Sequence, residues 1–147
     1  MKKSKTIPSQ IAGIYLEQKR YTEAIAAYQE IADKGSDTEK MEAYYRIGDI
    51  YMNTENHDKA LEVFSNLINM KPKENVFRVT GLINLATIYE EKSDWKNAVK
   101  IYNLIVDSGG QKDYVDGARA RIAEIKNAYP DMFKEETKVK EKKTEKK

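Results

Sequence analysis

Apolar residues along this chain recur three and four positions apart for most of its length, the period of a helix with one buried face. The pattern breaks at regular places. Residues 17–20, 53–56 and 91–94 are polar, Pro72 and Gly109–Gly110 interrupt the pattern further along, and Pro130 closes it. Between the breaks one arrangement is stated three times. Ile11, Ile47 and Leu85 fall into register, 36 and then 38 residues apart. A small residue follows each (Ala12, Gly48, Ala86), and three positions later comes a tyrosine (Tyr15, Tyr51, Tyr89). Next come an aromatic ring (Tyr21, His57, Trp95), an alanine (Ala24, Ala60, Ala98), a second aromatic (Tyr28, Phe64, Tyr102) and an aliphatic (Ile31, Leu67, Ile105).

Each copy predicts two antiparallel helices joined by a tight turn. Asn56 and Ser93 are placed to cap the second helix of their copies, and Ser36 with Glu39 forms a capping box opening the next unit. Pro72 should stop a helix ending near Met70, and Gly109–Gly110 one ending near Ser108. The small residue and the alanine mark close approach, because paired helices pack at about 8–10 Å and bulk at the crossing would separate them. One hairpin cannot cover its own apolar face, so copies must stack.

These residues resemble the tetratricopeptide repeat family over roughly residues 7–110. The matches are the small residue and tyrosine of the first helix, and the alanine, aromatic and aliphatic of the second; Pro72 sits where that family often ends a unit. The spacing exceeds the family's usual length, so loops or second helices should be longer, and Pro8, Tyr44 and Leu82 stand where the family often has tryptophan. The resemblance implies an all-α fold: a right-handed α-solenoid of antiparallel hairpins, about seven helices, with the first helices lining a concave side. Repeats are expected at about 7–36, 41–72 and 79–110. Residues 112–129, apolar at Tyr114, Ala118, Ile122 and Ile125 and charged opposite, should form a capping helix. A basic tail is expected at 1–6 and a charged, disordered one at 131–147.

Composition narrows the class. The chain has 147 residues, 40% apolar and 34% charged, which fits one globular domain. No run approaches the ~20 apolar residues of a membrane-spanning helix, and the start lacks a signal-peptide cleavage pattern. The location is cytoplasmic at face value, or periplasmic if a leader was removed from a longer precursor. No cysteine is present. The net charge of +2 is carried by lysines near both ends, leaving the body acidic, which argues against a nucleic-acid surface.

Chemistry is sparse. His57, the single histidine, occupies a packing slot, and no serine or threonine can be tied to a base. Glu90–Glu91 reads as solubilising charge on a helix end, and no phosphate loop appears. No cofactor or metal is expected, and the chain reads as a non-enzyme.

What remains is surface. Once core positions are assigned, the first helices leave a strip: Ser9, Gln10, Gly13 and Leu16; then Tyr45, Arg46, Asp49 and Met52; then Ile83, Asn84, Thr87 and Glu90. Tyr45, Met52 and Ile83 have no core slot, and Arg46, Asn84 and Thr87 beside them can hydrogen-bond, as a peptide-binding groove requires. The partner-binding residues expected are Tyr45, Arg46, Asp49, Met52, Ile83, Asn84 and Thr87, and the partner a protein or peptide. The carboxylate clamp of some family members, built from Lys, Asn and Arg on successive first helices, is not matched by Ser9, Gly13, Arg46, Thr80 and Asn84. The alternative is self-association through an uncapped N-terminal face bearing Ile11, Ile14 and Ile25.

Overall fold

The structure, a computed structural model, describes residues 6–134. Among them seven α-helices follow one another with no strand: α1 (Thr6–Glu17), α2 (Tyr21–Lys34), α3 (Asp37–Asn53), α4 (His57–Ser65), α5 (Val76–Glu91), α6 (Trp95–Val106) and α7 (Lys112–Ala128), then a 3₁₀ turn, Pro130–Phe133. Three hairpins form, α1–α2, α3–α4 and α5–α6, and α7 packs on α6. The fold is an all-α helical repeat.

The hairpins close where small residues meet. Ala12, Ala24, Ala60, Ala86 and Ala98 expose nothing to solvent. At Gly48 the approach is tighter still, since a Cβ there would lie 2.3 Å from a Phe64 ring carbon. Aromatics and aliphatics fill the flanks in two clusters. The first holds Tyr28, Ile47 and Ile50; the second runs from Met41 and Phe64 to Ile125 and Phe133, and half-buried Tyr44 and Tyr51 touch both.

The three hairpin turns are built alike. Lys19, Glu55 and Ser93 have φ of 59°, 61° and 56°. The next amide, of Arg20, Asn56 or Asp94, donates to the carbonyl of Tyr15, Tyr51 or Tyr89 at 2.8–2.9 Å, and the left-handed residue's own amide donates to Leu16, Met52 or Glu90. Each is a helix-ending motif that answers the last orphan carbonyls. Ser93 is therefore a left-handed terminator and not a cap. Asp94 caps α6 instead, accepting from the Asn97 amide at 3.2 Å, while Asn56 makes no side-chain capping bond. The Ser36–Glu39 capping box forms as expected.

Four boundaries differ from expectation. α3 starts at Asp37, directly after the capping box, α4 ends at Ser65, short of Met70, and α5 starts at Val76, ahead of the expected 79. Residues 66–75 form a turning loop, held from inside by Arg78. Its guanidinium, on a residue 2% exposed, donates to the carbonyls of Leu67 (3.0 Å), Ile68 (2.8 Å) and Lys73 (2.9 Å). Burial lowers its pKa, yet an arginine keeps its charge. At the C-terminal end Phe133 is buried and Trp95 stacks on Tyr129 at 4.6 Å, so ordered packing continues past residue 131. The remainder of the expected tails, residues 1–5 and 135–147, lies outside the described residues. Ile11 and Ile14 are exposed along α1, whereas Ile25 is half-buried against the first cluster.

A left-handed conformation costs a residue with a Cβ about 1–2 kcal/mol, while glycine adds about 0.4–1 kcal/mol of unfolded-state entropy. Glu55→Gly should therefore stabilise the fold by about 0.5–1 kcal/mol, read as a higher urea midpoint at unchanged slope. Glu62→Gly, on the exposed face inside α4, should cost about 1 kcal/mol.

Candidate partner-binding groove

Tyr45, Arg46, Asp49 and Met52 lie on α3, and Ile83, Asn84 and Thr87 on α5; all seven are half-buried. The structure gathers the first two with a residue the pattern did not flag, Phe77 at the start of α5. The Tyr45 and Phe77 rings lie 5.7 Å apart, and the Arg46 guanidinium sits 5.7 Å and 5.6 Å from their centres, a cation over two aromatic faces. Arg46 also pairs loosely with Glu42 at 3.7 Å. Burial raises the pKa of the Tyr45 hydroxyl, Asp49 and Tyr114 add to that, and Arg46 opposes it. Tyr114, in the first turn of α7, packs against the same core cluster as Tyr45.

The remaining members are less free than their spacing implies. Tyr45, Met52 and Ile83 pack against the second core cluster, so each does have core contact. The Thr87 hydroxyl donates to the Ile83 carbonyl at 3.0 Å within its own helix. Asn84 makes no side-chain hydrogen bond among the described residues, leaving its amide available.

Comparing unit junctions explains where the surface opens. Four residues before the buried small residues Ala43, Gly81 and Ala118 stand Glu39, Phe77 and Tyr114, and the matching slots of the preceding first helices hold Ser9, Tyr45 and Ile83. At the second junction two rings fill the space. At the first, Ser9 and Glu39 do not, and a cleft of about 540 Å³ remains. Ser9, Gln10, Tyr28, Ser36, Thr38, Glu39 and Glu42 line it over a floor of Ile31 and Ala43. Ser9 and Gln10 were in the expected strip; Tyr28 and Glu42 were not. Aligning these facing slots, rather than each helix alone, would have exposed the gap.

Glu90 corrects the reading of Glu90–Glu91 as solubilising charge. Its carboxylate, 15% exposed, accepts from Tyr102 Oη at 2.5 Å, from Arg121 Nε at 2.8 Å and again from Arg121 Nη2. One carboxylate thereby ties α5, α6 and α7 together. Burial opposes its ionisation, but the bonds from Arg121 and Tyr102 prevail and hold its pKa below the ordinary value. Burial and Glu90 together drive the Tyr102 hydroxyl well above its usual range. Glu91 accepts from or pairs with His57 Nδ1 at 2.6 Å, and Lys92 donates to Asp58 at 2.5 Å, two ties between the second and third hairpins. His57 is thus half-buried and hydrogen-bonded, not simply packed.

Among the described residues no group of three His, Cys, Asp or Glu side chains could hold a metal ion, and no helix is long and apolar enough to cross a membrane.

The Glu90 cluster predicts a pH dependence. A carboxylate whose folded pKa is depressed stabilises fully above the unfolded pKa, and that stabilisation is lost as pH falls through the folded value. Glu90→Gln should cost about 2 kcal/mol near pH 7, and the gap from the parent chain should shrink as pH falls below the ordinary carboxylate range and through the lower folded pKa. Thermal unfolding of both proteins across that range measures it.

Tetratricopeptide repeat models match residues 15–83 and, with a second model, residues 82–104. No curated protein matches the chain. Such repeats generally mediate protein–protein interactions. With small-residue crossings, in-register hairpins and both matches in agreement, the chain belongs to the tetratricopeptide repeat family.

Proposed function

We propose that the chain is a non-enzymatic interaction module that holds an extended or helical segment of a partner protein along the shared face of α3 and α5. Tyr45, Arg46, Asp49, Met52, Ile83, Asn84 and Thr87 make the contacts. The observation that carries this reading is the half-buried stack of Arg46 on Tyr45 and Phe77, with the Asn84 amide uncommitted further along α5. Aromatic and arginine side chains, partly desolvated and already oriented, dominate binding energy at protein interfaces. A preformed stack also loses little side-chain freedom on binding.

Replacing Tyr45, Arg46 and Asn84 together by alanine should weaken partner capture at least ~30-fold while helicity is kept, since two such anchors contribute about 2 kcal/mol or more. Because Tyr45 also touches the core, Arg46→Glu with Asn84→Asp serves as the gentler variant and should weaken capture as well. A pull-down with parent and variant proteins side by side reads the difference. Capture unchanged in both variants would move the site off this face.

A further inference from the structure

Tyr28 of α2 is 4% exposed, with its ring in the first core cluster, yet its hydroxyl makes no hydrogen bond among the described residues. It borders the cleft between α1 and α3. Its counterpart in the third unit, Tyr102, donates to Glu90. In the first unit Leu16 stands in the Glu90 slot, so that acceptor is missing. Glu42 lines the same cleft as Tyr28; burial raises the Tyr28 pKa, Arg46 opposes this and Glu42 adds to it. Among the described residues Glu42 is held by the 3.7 Å ion pair to Arg46, longer than a hydrogen bond, and that guanidinium also faces two rings.

Among the described residues, the charged side chains that line the cleft are the carboxylates Glu39 and Glu42, and Ile31 and Ala43 give it an apolar floor. A long aliphatic stem ending in a cation matches all of this: methylenes against the floor, the charged head between carboxylate and phenol oxygen. An anion would meet two carboxylates. A purely apolar side chain would leave the Tyr28 hydroxyl without a partner.

Resting on the groove reading above, we propose that the cleft between α1 and α3 is a specificity pocket for a lysine or arginine side chain of the partner segment, with Glu42 and the Tyr28 hydroxyl as its polar contacts. The pocket adjoins the Arg46 stack through Glu42, so one bound segment would cover both.

The test titrates the isotope-labelled full chain with blocked alanine pentapeptides carrying one central lysine, arginine, norleucine or glutamate, followed by amide chemical shifts. The lysine and arginine peptides should saturate with Kd of order 1 mM, shifting Ser9, Gln10, Tyr28 and Thr38, and the other two should bind at least ~10-fold more weakly. Glu42→Gln should weaken the lysine peptide about 5–10-fold and Tyr28→Phe about 3-fold, each with unchanged helical circular dichroism. Equal binding of norleucine and lysine, or no effect of Glu42→Gln, overturns the proposal. Replacing Lys2, Lys3 and Lys5 by serine should leave the lysine-peptide affinity unchanged; a marked gain would assign the pocket to the chain's own leading segment and overturn it too. These peptide results stand apart from partner capture. Capture lost in the Tyr45, Arg46 and Asn84 variant with a failed peptide titration sinks the pocket alone, whereas capture surviving that variant sinks the groove reading.

Discussion

Within each hairpin, both helices carry a buried small residue, and at Gly48 the Phe64 ring of the second helix lies where a Cβ would be. Ala24, Ala60 and Ala98 on the second helices, with Ala12, Gly48 and Ala86 on the first, let the backbones approach until ring and aliphatic side chains on either side close over the crossing. The direction of each chain segment follows from that contact, and so does the placing of its outer face. Because all three crossings are alike, the first helices present corresponding slots, and differences between units become differences in what fills a fixed frame. The proposed groove would be one such difference, made by the residues left over once the frame is satisfied.

The junctions show how far the filling can vary. Two rings close the second, with a cation laid over them. Glu90, Tyr102 and Arg121 link the elements at the third. The first keeps the tyrosine but loses both the carboxylate and the ring pair, and a cleft remains. A frame fixed by small residues tolerates this because the stability of a repeat array is nearly a sum of unit and neighbour terms. One loosely filled junction can be offset by its neighbours.

Local chemistry made much of this legible. The alanine slots, the Ser36–Glu39 capping box and the terminal helix at 112–128 follow from spacing and side-chain size, and the structure contains each of them. What sequence alone misjudged depended on groups distant along the chain or on backbone conformation without a residue signature. Ser93 reads as a cap, but a left-handed terminator with a Cβ looks like any polar turn residue. α4 ends early because Arg78, thirteen residues beyond its last turn, answers the loop carbonyls. Glu90 looked exposed because its partners lie on two other helices. Of the proposed groove, the α3 and α5 positions come from the pattern of single helices, while Phe77 emerges only when facing slots of neighbouring units are compared.

The dependence on close helix approach can be measured by placing leucine at each crossing in turn. Ala24→Leu, Ala60→Leu and Ala98→Leu should each lower unfolding free energy in urea by about 2–3 kcal/mol, with Ala26→Leu on the exposed side of α2 near zero. If any of the three crossings accepted leucine within about 0.5 kcal/mol, the helices would not meet there, and the frame assigned to this chain would be wrong.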